Sequence, residues 1–266
     1  MPTPPLYHYT TQAGLLGMAQ NKTMWLTNLR YMNDAEEFNY GLNFIRKYIK
    51  ENYHESLGRR LNNPELNYAE IPAAFSFSLT EQKDLLSQWR GYCPEGGYSV
   101  SFDSERLQTF VGSNKLQLAR CLYEEDEIAQ LIEERIVCMS PEQYLKELKP
   151  GSSPSKGMSR MPHELLDRAF RIIPFIKHPS FREEKEWRIL NMEHYERRLH
   201  ELPDVKIRGG NNRFIPYLEY KINDLGGNLI DGAILSPGEP DILAIGSTKL
   251  LLQTQKVNSS SIPYRA

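Results

Sequence analysis

Short β-prone runs recur along the whole sequence, and the helical patterns that separate them follow no regular order. The strict alternation of strand and helix that builds a doubly wound parallel sheet is missing. We therefore predict an α+β fold in which a mixed or antiparallel sheet is split by helical insertions. Strands are expected near residues 6–9, 23–27, 73–78, 98–102, 184–190, 214–220 and 232–235.

Residues that commonly cap helix N-termini predict the start of several helices. Thr11 and Asp103 each precede a helical pattern, and Asn33-Asp34 precedes a longer one that is expected to reach about residue 57. A short helix or turn is expected over 85–92, where Pro94 and two glycines stop it. These signals place helices between the strands without showing which strands are neighbours.

The chain of 266 residues is long enough for one large domain or two small ones. No internal repeat is present, and the Pro-, Gly- and Ser-rich stretch 149–157 is the one linker-like segment. We predict a single domain over 1–266, with helical insertions at about 39–70 and 121–170 and a flexible loop at 149–160.

The composition excludes several classes of protein. A net charge of −2 does not indicate a nucleic-acid partner, and no run approaches the roughly 18 apolar residues that cross a membrane. No signal peptide precedes the first strand, and three cysteines do not form a disulfide framework. We expect a cytoplasmic protein without a membrane partner; the oligomeric state is left open.

The common catalytic motifs are also missing. The sequence has no Gly-rich dinucleotide fingerprint and no phosphate-binding loop, which argues against Rossmann enzymes, ATPases and kinases. The six histidines include no HExxH pair and none is spaced with cysteine as in a zinc site, so we predict no metal. A nucleophile elbow of the G-x-S-x-G type does not occur either.

What remains is a scattered set of polar and aromatic residues. Because strand side chains alternate, Glu184, Glu186 and Arg188 are expected on one face, and Trp187 on the other. Two carboxylates would then point into one cleft; the alternative is a solvated, charged edge strand. The other members of the set are His8, Tyr9, Ser76, Ser78, Trp89, Arg90 and Tyr92.

These residues lie in seven segments that resemble, in order, a bacterial family numbered 2971 among the domains of unknown function. The resemblance runs from residue 6 to about 190, more weakly to 235, and assigns no activity. The segments are LYHYT at 6–10, WLT at 25–27, NDAEEF at 33–38, FSFS at 75–78, LSQWRGY at 86–92, GYSVSFD at 97–103 and EKEWR at 184–188.

A second resemblance, to the ADP-ribosyltransferases, implies a specific reaction. An opening strand with His, a middle strand with small hydroxyl residues and a late strand with Glu-x-Glu are similar to that superfamily, in which NAD lies in a cleft between two small sheets. This resemblance implies that NAD is the substrate and that an unknown acceptor is the partner. The resemblance to the family numbered 2971 implies a role as a bacterial toxin or phage-defence effector.

The same resemblance implies individual roles. Glu186 would bind the nicotinamide ribose and stabilise the positive charge of the transition state. Glu184 on the same strand would matter less if NAD is merely hydrolysed, and more if it must position an acceptor. Glu186→Gln is expected to lower the rate without changing the fold. For binding NAD, the resemblance implies His8 on the adenosine ribose, Ser78 behind the late carboxylate, and Tyr92 or Trp89 on nicotinamide, with Tyr9 and Arg90 beside them.

Two other functions are compatible with the sequence. A non-enzymatic sensor would use His8, Trp89 and Tyr92 as a pocket for a small ligand or a partner protein. A nuclease would use Glu183-x-Lys185 with an upstream acid such as Asp167 to hold a metal.

Overall fold

The computed structural model describes residues 4–31, 35–53, 74–137, 168–191, 202, 204–210, 212–222, 227–238 and 241–263. Ten strands in this part of the chain form one mixed sheet. They are β1 (Leu6–Thr10), β2 (Thr23–Asn28), β3 (Phe75–Thr80), β4 (Tyr98–Phe102), β5 (Gln117–Arg120), β6 (Glu186–Asn191), β7 (Lys206–Gly209), β8 (Phe214–Lys221), β9 (Ile230–Leu235) and β10 (Val257–Ser259).

Helices flank this sheet and connect its strands, which confirms the predicted α+β class. The helices are α1 (Gln12–Asn21), α2 (Ala35–Asn52), α3 (Leu86–Tyr92), α4 (Ser104–Ser113), α5 (Glu125–Ile132) and α6 (Ile242–Leu252). The described residues also form three 3-10 turns (Leu29–Tyr31, Ile173–Phe175 and Pro179–Glu184) and one π turn (Glu133–Val137).

The sheet divides into two wings. One wing has the order β5-β6-β3-β2-β8-β7, and the other has the order β10-β9-β4-β1. The wings meet where β1 pairs with β3, and this pairing consists of one residue pair, Tyr7 with Thr80. By contrast, β1 pairs with β4 over five residues and β3 pairs with β6 over six. The backbones of β1 and β3 therefore separate, and a gap opens between the wings.

The predicted caps have clear physical roles. The Thr11 hydroxyl accepts a hydrogen bond from the backbone N–H of Gly14, and the Asp103 carboxylate accepts from those of Glu105 and Arg106. The proposed cap at Asn33-Asp34 lies outside the described residues, and α2 ends at Asn52 rather than near residue 57. Most of the two insertions, and the whole 149–160 loop, also lie outside the described residues.

Two large apolar cores hold these elements in place. The main core lies between the sheet and helices α1 and α4. A second core joins α2, α5 and the segment 168–176, with Leu42, Ile45 and Ile49 of α2 buried at helical spacing. Burial of each such side chain contributes roughly 1.5–3 kcal/mol, so α2 and the 168–176 segment are firmly packed together. Among the described helices, none is long and apolar enough to cross a bilayer.

Candidate functional site

A pocket that is open to solvent lies where β1 and β3 separate. We call it the split pocket. Side chains from both wings line it, together with the last residue of α3 and the residues just before and at the start of β6. The described lining residues are Tyr7, His8, Tyr9, Ser78, Leu79, Thr80, Gln88, Tyr92, Glu184 and Glu186.

His8 stands in the gap between the two wings. Its ring stacks on Phe77 with centroids 4.1 Å apart, and Nδ1–H donates to the Ser78 carbonyl at 2.8 Å. Burial lowers the pKa of His8 to about 4, although the Ser78 carbonyl acts in the opposite direction. The imidazole is therefore neutral near pH 7, and because Nδ1 carries the proton, Nε2 is an acceptor on a ring that lines the pocket.

Tyr9 is buried and connects β1 to the loop before α3. Its hydroxyl donates to the Gln82 carbonyl at 2.9 Å and accepts from the Leu85 N–H at 2.9 Å. Its ring meets Trp89 edge-on, with the centroids 4.7 Å apart. Burial raises the pKa of Tyr9 to about 12, so the phenol is neutral.

Trp89 and Arg90 are not among the described residues that line the split pocket. Trp89 is 2% exposed and packs with Tyr9 and Cys93 in a small core, where its indole N–H donates to Asp84 at 2.8 Å. Arg90 is exposed on α3. The expectation that Trp89 lines the cleft is thus corrected: it holds α3 against β1 and presents no face to a ligand.

Tyr92, three residues further along α3, does reach the pocket. Its side chain is 45% exposed and lies close to the two carboxylates. Burial, together with Glu184 and Glu186, raises the pKa of Tyr92 to about 12. A neutral, partly exposed phenol at the pocket edge offers both an aromatic face and a hydroxyl to a ligand.

Glu186 is the first residue of β6 and is buried beneath the pocket. Arg188 donates to both of its carboxylate oxygens, through Nε at 2.8 Å and Nη2 at 3.0 Å, and Lys177 Nζ donates to Oε2 at 2.7 Å. Burial alone would raise the pKa of Glu186, but the two cations outweigh it and lower the pKa to about 2. Glu186 is therefore ionised across the physiological range.

Glu184 lies outside the strand, contrary to the predicted alternation. It ends the 3-10 turn Pro179–Glu184, and Lys185 follows in the left-handed conformation with φ 42°. This turn brings the Glu184 carboxylate to Lys177 Nζ at 2.5 Å, so both acids share one ammonium and line one pocket. Burial raises the pKa of Glu184 although Lys177 opposes it.

The backbone of Glu186 is fixed by a different contact from the one the sequence suggests. Trp187 is only half-buried, and its indole N–H donates to Glu81 at 2.9 Å. The Glu186 N–H instead donates to the buried Tyr123 hydroxyl at 2.9 Å. Together with the ion pairs to Lys177 and Arg188, this bond holds the carboxylate in one position.

The hydroxyl residues of β3 form the floor beside these acids. In the β3–β6 register Ser78 lies opposite Arg188, and Thr80 lies opposite Glu186. The Thr80 hydroxyl donates to the Glu184 carbonyl and accepts from Gln82 N–H. The buried Ser76 and Ser78 hydroxyls bond no described residue. Ser78 thus does not support the late carboxylate as expected; its hydroxyl is buried at the pocket lining and bonds no described residue.

Three charged residues complete the site and were not predicted. Lys177 and Arg188 both contact Glu37 of α2, at 3.1 and 2.5 Å. Glu37, Lys177, Glu184, Glu186 and Arg188 together are named the charge cluster below. Arg188 was assigned a strand face but no role, and neither Lys177 nor Glu37 stands in a motif whose spacing signals an ion pair.

The nuclease hypothesis requires a metal site formed by acidic residues. In the described part of the chain, no group of three His, Cys, Asp or Glu residues is arranged to hold a metal ion. Glu183 and Lys185 are both exposed, and Asp167 lies outside the described residues. The described residues therefore offer no support for the nuclease hypothesis.

Comparison with known proteins gives one match. Residues 88–189 match a family model described as a protein of unknown function (DUF2971). This stretch, less than half of the chain, runs from α3 into β6 and so includes Tyr92, Lys177, Glu184, Glu186 and Arg188. No curated protein matches the chain, and no solved structure does.

Proposed function

We propose that this protein cleaves the glycosidic bond between nicotinamide and ribose in NAD, as an ADP-ribosyltransferase or an NAD glycohydrolase. The observation that carries the proposal is the split pocket, which collects His8, Tyr9, Ser78 and Tyr92 around Glu184 and Glu186. The position of this pocket between two wings of a sheet agrees with what the resemblance to the ADP-ribosyltransferases implies.

Glu186 suits the bond-breaking step of such a reaction, and Glu184 suits the attack of the nucleophile that follows. As the C1–N bond breaks, its electron pair leaves with nicotinamide and positive charge develops on the ribose. Glu186 is ionised and rigidly held, and a fixed negative charge near C1 stabilises the transition state more than it stabilises the substrate. Its role is electrostatic and requires no proton transfer.

Glu184 then serves the incoming nucleophile. Water or an acceptor hydroxyl forms the new bond to C1 and gives its proton to the Glu184 carboxylate. Burial raises the pKa of Glu184 whereas the cations lower that of Glu186, and such a divergence between neighbouring acids is typical of divided catalytic roles. NAD hydrolysis and ADP-ribose transfer differ only in the nucleophile that Glu184 activates.

The lining of the pocket favours the nicotinamide end of NAD over the diphosphate. No Lys or Arg is among its described lining residues, which instead present phenols, hydroxyls, a neutral imidazole and two carboxylates. The pyridinium ring carries a positive charge that such walls attract, and Tyr92 offers a face for stacking.

The experiment measures nicotinamide release from NAD by chromatography, with and without a magnesium chelator. We expect release that the chelator does not change, and a loss of at least tenfold in Glu184→Gln. Glu183→Gln is the matched control, because it removes the neighbouring exposed carboxylate and should leave the rate unchanged. If the folded protein neither releases nicotinamide nor binds NAD in calorimetry, the proposal fails.

A second candidate is a binding protein that senses a small ligand without cleaving it. The favouring observation is that Lys177 and Arg188 already donate to both oxygens of Glu186, which leaves fewer lone pairs for a substrate. Saturable NAD binding without nicotinamide release would select this function. The toxin or phage-defence role implied by the family resemblance is part of our proposal for the enzyme and is tested by toxicity of the wild type, but not of Glu184→Gln, in bacteria.

A further inference from the structure

Lys177 occupies an unusual position for a lysine. Its backbone is fixed beside the segment that follows β5, because Lys177 N–H donates to the Leu122 carbonyl at 3.0 Å and Leu122 N–H donates to that of Phe175 at 2.7 Å. Its side chain is only 4% exposed. A buried ammonium loses its hydration and is stable only when acceptors replace the water.

Three carboxylates supply those acceptors. Lys177 Nζ lies 2.5 Å from Glu184, 2.7 Å from Glu186 and 3.1 Å from Glu37. An ammonium has three protons, so these contacts use its full donor capacity. Glu184 and Glu186 line the split pocket, whereas Glu37 approaches from α2, and Lys177 therefore ties the two pocket acids to the helical layer behind them.

The two pocket acids depend on this ammonium to different degrees. Glu186 also receives two hydrogen bonds from Arg188, which in addition bonds Glu37 and the Pro174 carbonyl. Among the described residues, the ion-pair partner of Glu184 is Lys177. Loss of the Lys177 charge would leave Glu186 paired with Arg188 but would leave Glu184 facing two other carboxylates.

We propose that Lys177 is a positioning residue that keeps Glu184 ionised and fixes it beside Glu186. The catalytic meaning of this role rests on the proposed function, because only an ionised Glu184 can accept the proton of the attacking water or acceptor. The electrostatic role itself concerns the free protein and does not require NAD.

The groups around Glu184 make this role measurable, because those with shifted pKa values keep a constant charge near neutral pH. Within the charge cluster, Glu37 faces it from α2 and Glu186 and Arg188 face it from β6. Glu186 and Arg188 stay charged near neutral pH, because their mutual ion pair lowers the pKa of Glu186 and raises that of Arg188. The surrounding neutral groups are His8 on β1, Tyr92 on α3, and Cys121 and Tyr123 after β5; burial lowers the pKa of His8 and raises the pKa of the other three.

The experiment follows the Glu184 carboxyl carbon by 13C NMR as a function of pH, with its signal assigned by its loss in Glu184→Gln. An opposite charge at contact distance shifts a carboxyl pKa by roughly one to three units. We expect Lys177→Gln to raise the midpoint by at least about one unit. Lys177→Arg retains the charge and should restore most of the shift.

The Glu37→Gln variant tests the same electrostatic role while keeping the Lys177 ammonium. It deletes a like charge outside the pocket, so the Glu184 midpoint should move to lower pH, opposite to the change in Lys177→Gln. Packing damage would not produce shifts of opposite sign. If Lys177→Gln does not fold, the Glu37→Gln and Lys177→Arg titrations decide. A midpoint that rises in Glu37→Gln, or that rises by about one unit or more in Lys177→Arg, overturns the proposal.

The same variants connect this role to catalysis. The acid limb of kcat/KM for nicotinamide release should shift in the direction of the NMR midpoint, upward in Lys177→Gln and downward in Glu37→Gln. If no variant, nor the wild type, cleaves NAD while the NMR midpoints move as expected, the proposed function fails and the role of Lys177 stands. If cleavage occurs but the midpoints are unchanged, the role of Lys177 is refuted.

Discussion

Glu186→Gln should lower the stability of the protein far more than Glu184→Gln, although the two acids are only two residues apart. At Glu186 the cations lower the pKa to about 2 from an ordinary 4.5. Each unit of pKa shift corresponds to about 1.4 kcal/mol, so the ionised carboxylate contributes about 3 kcal/mol to folding at neutral pH. Breaking a buried ion pair by removing one partner costs about 3–5 kcal/mol in other proteins, which agrees.

Glu184 behaves differently because burial raises its pKa, so the folded protein disfavours its ionised form. Glu184→Gln removes that charge and should change the free energy of unfolding by less than about 1 kcal/mol or increase it slightly. The expectation from sequence that Glu186→Gln leaves the fold unaffected is therefore replaced by a large loss in stability. Activity measurements on Glu186→Gln need to be made well below its melting temperature.

The assay is urea unfolding at pH 7, followed by fluorescence of the three tryptophans. The pH dependence gives a second check. Because the Glu186 pKa is lowered, its contribution is complete above about pH 4.5 and is lost as the pH falls toward 2, a decline that Glu186→Gln should lack. Equal losses in the two variants, or a loss under 1 kcal/mol in Glu186→Gln, would refute the reasoning.

The remaining predictions concern the aromatic residues and His8. Tyr92→Ala should weaken NAD binding at least tenfold in calorimetry with little change in melting temperature, since Tyr92 is 45% exposed; the reverse result would remove it from the site. Trp89→Ala should cost about 3–5 kcal/mol in urea unfolding because it empties a core position, while Trp89→Phe should cost less, mainly the indole bond to Asp84. Burial lowers the pKa of His8 from 6.5 to about 4, so folding should lose up to about 3 kcal/mol as the pH falls through that interval. His8→Asn should abolish this decline, and an unchanged decline would assign it to another group.

Local sequence patterns predicted the elements that have strong local signals. Strands β1 and β4 and helix α3 lie close to their expected positions, as do the caps at Thr11 and Asp103. Strands β5, β7 and β10 were not predicted because they have only three or four residues, too few for an alternation to be recognised. Their pairing depends on longer neighbours and not on their own composition.

The candidate site shows where local patterns stop being informative. Trp89 and Tyr92 are three residues apart, which rotates one about 60° from the other on a helix. That rotation is enough to bury Trp89 against Tyr9 while Tyr92 reaches the pocket edge. The contact of Lys177 with Glu37 joins segments far apart in sequence, and only the packing of α2 on the 168–176 segment brings them together.

The gap between β1 and β3 explains why a histidine suits the eighth position. Where two strands separate, buried backbone groups lose their ladder partners and need replacements. His8 supplies one, because Nδ1–H donates to the Ser78 carbonyl while the ring packs on Phe77. This donation fixes the tautomer, which leaves Nε2 as an acceptor on the pocket wall. One side chain thus satisfies the backbone where the sheet divides and presents a hydrogen-bond acceptor to the pocket.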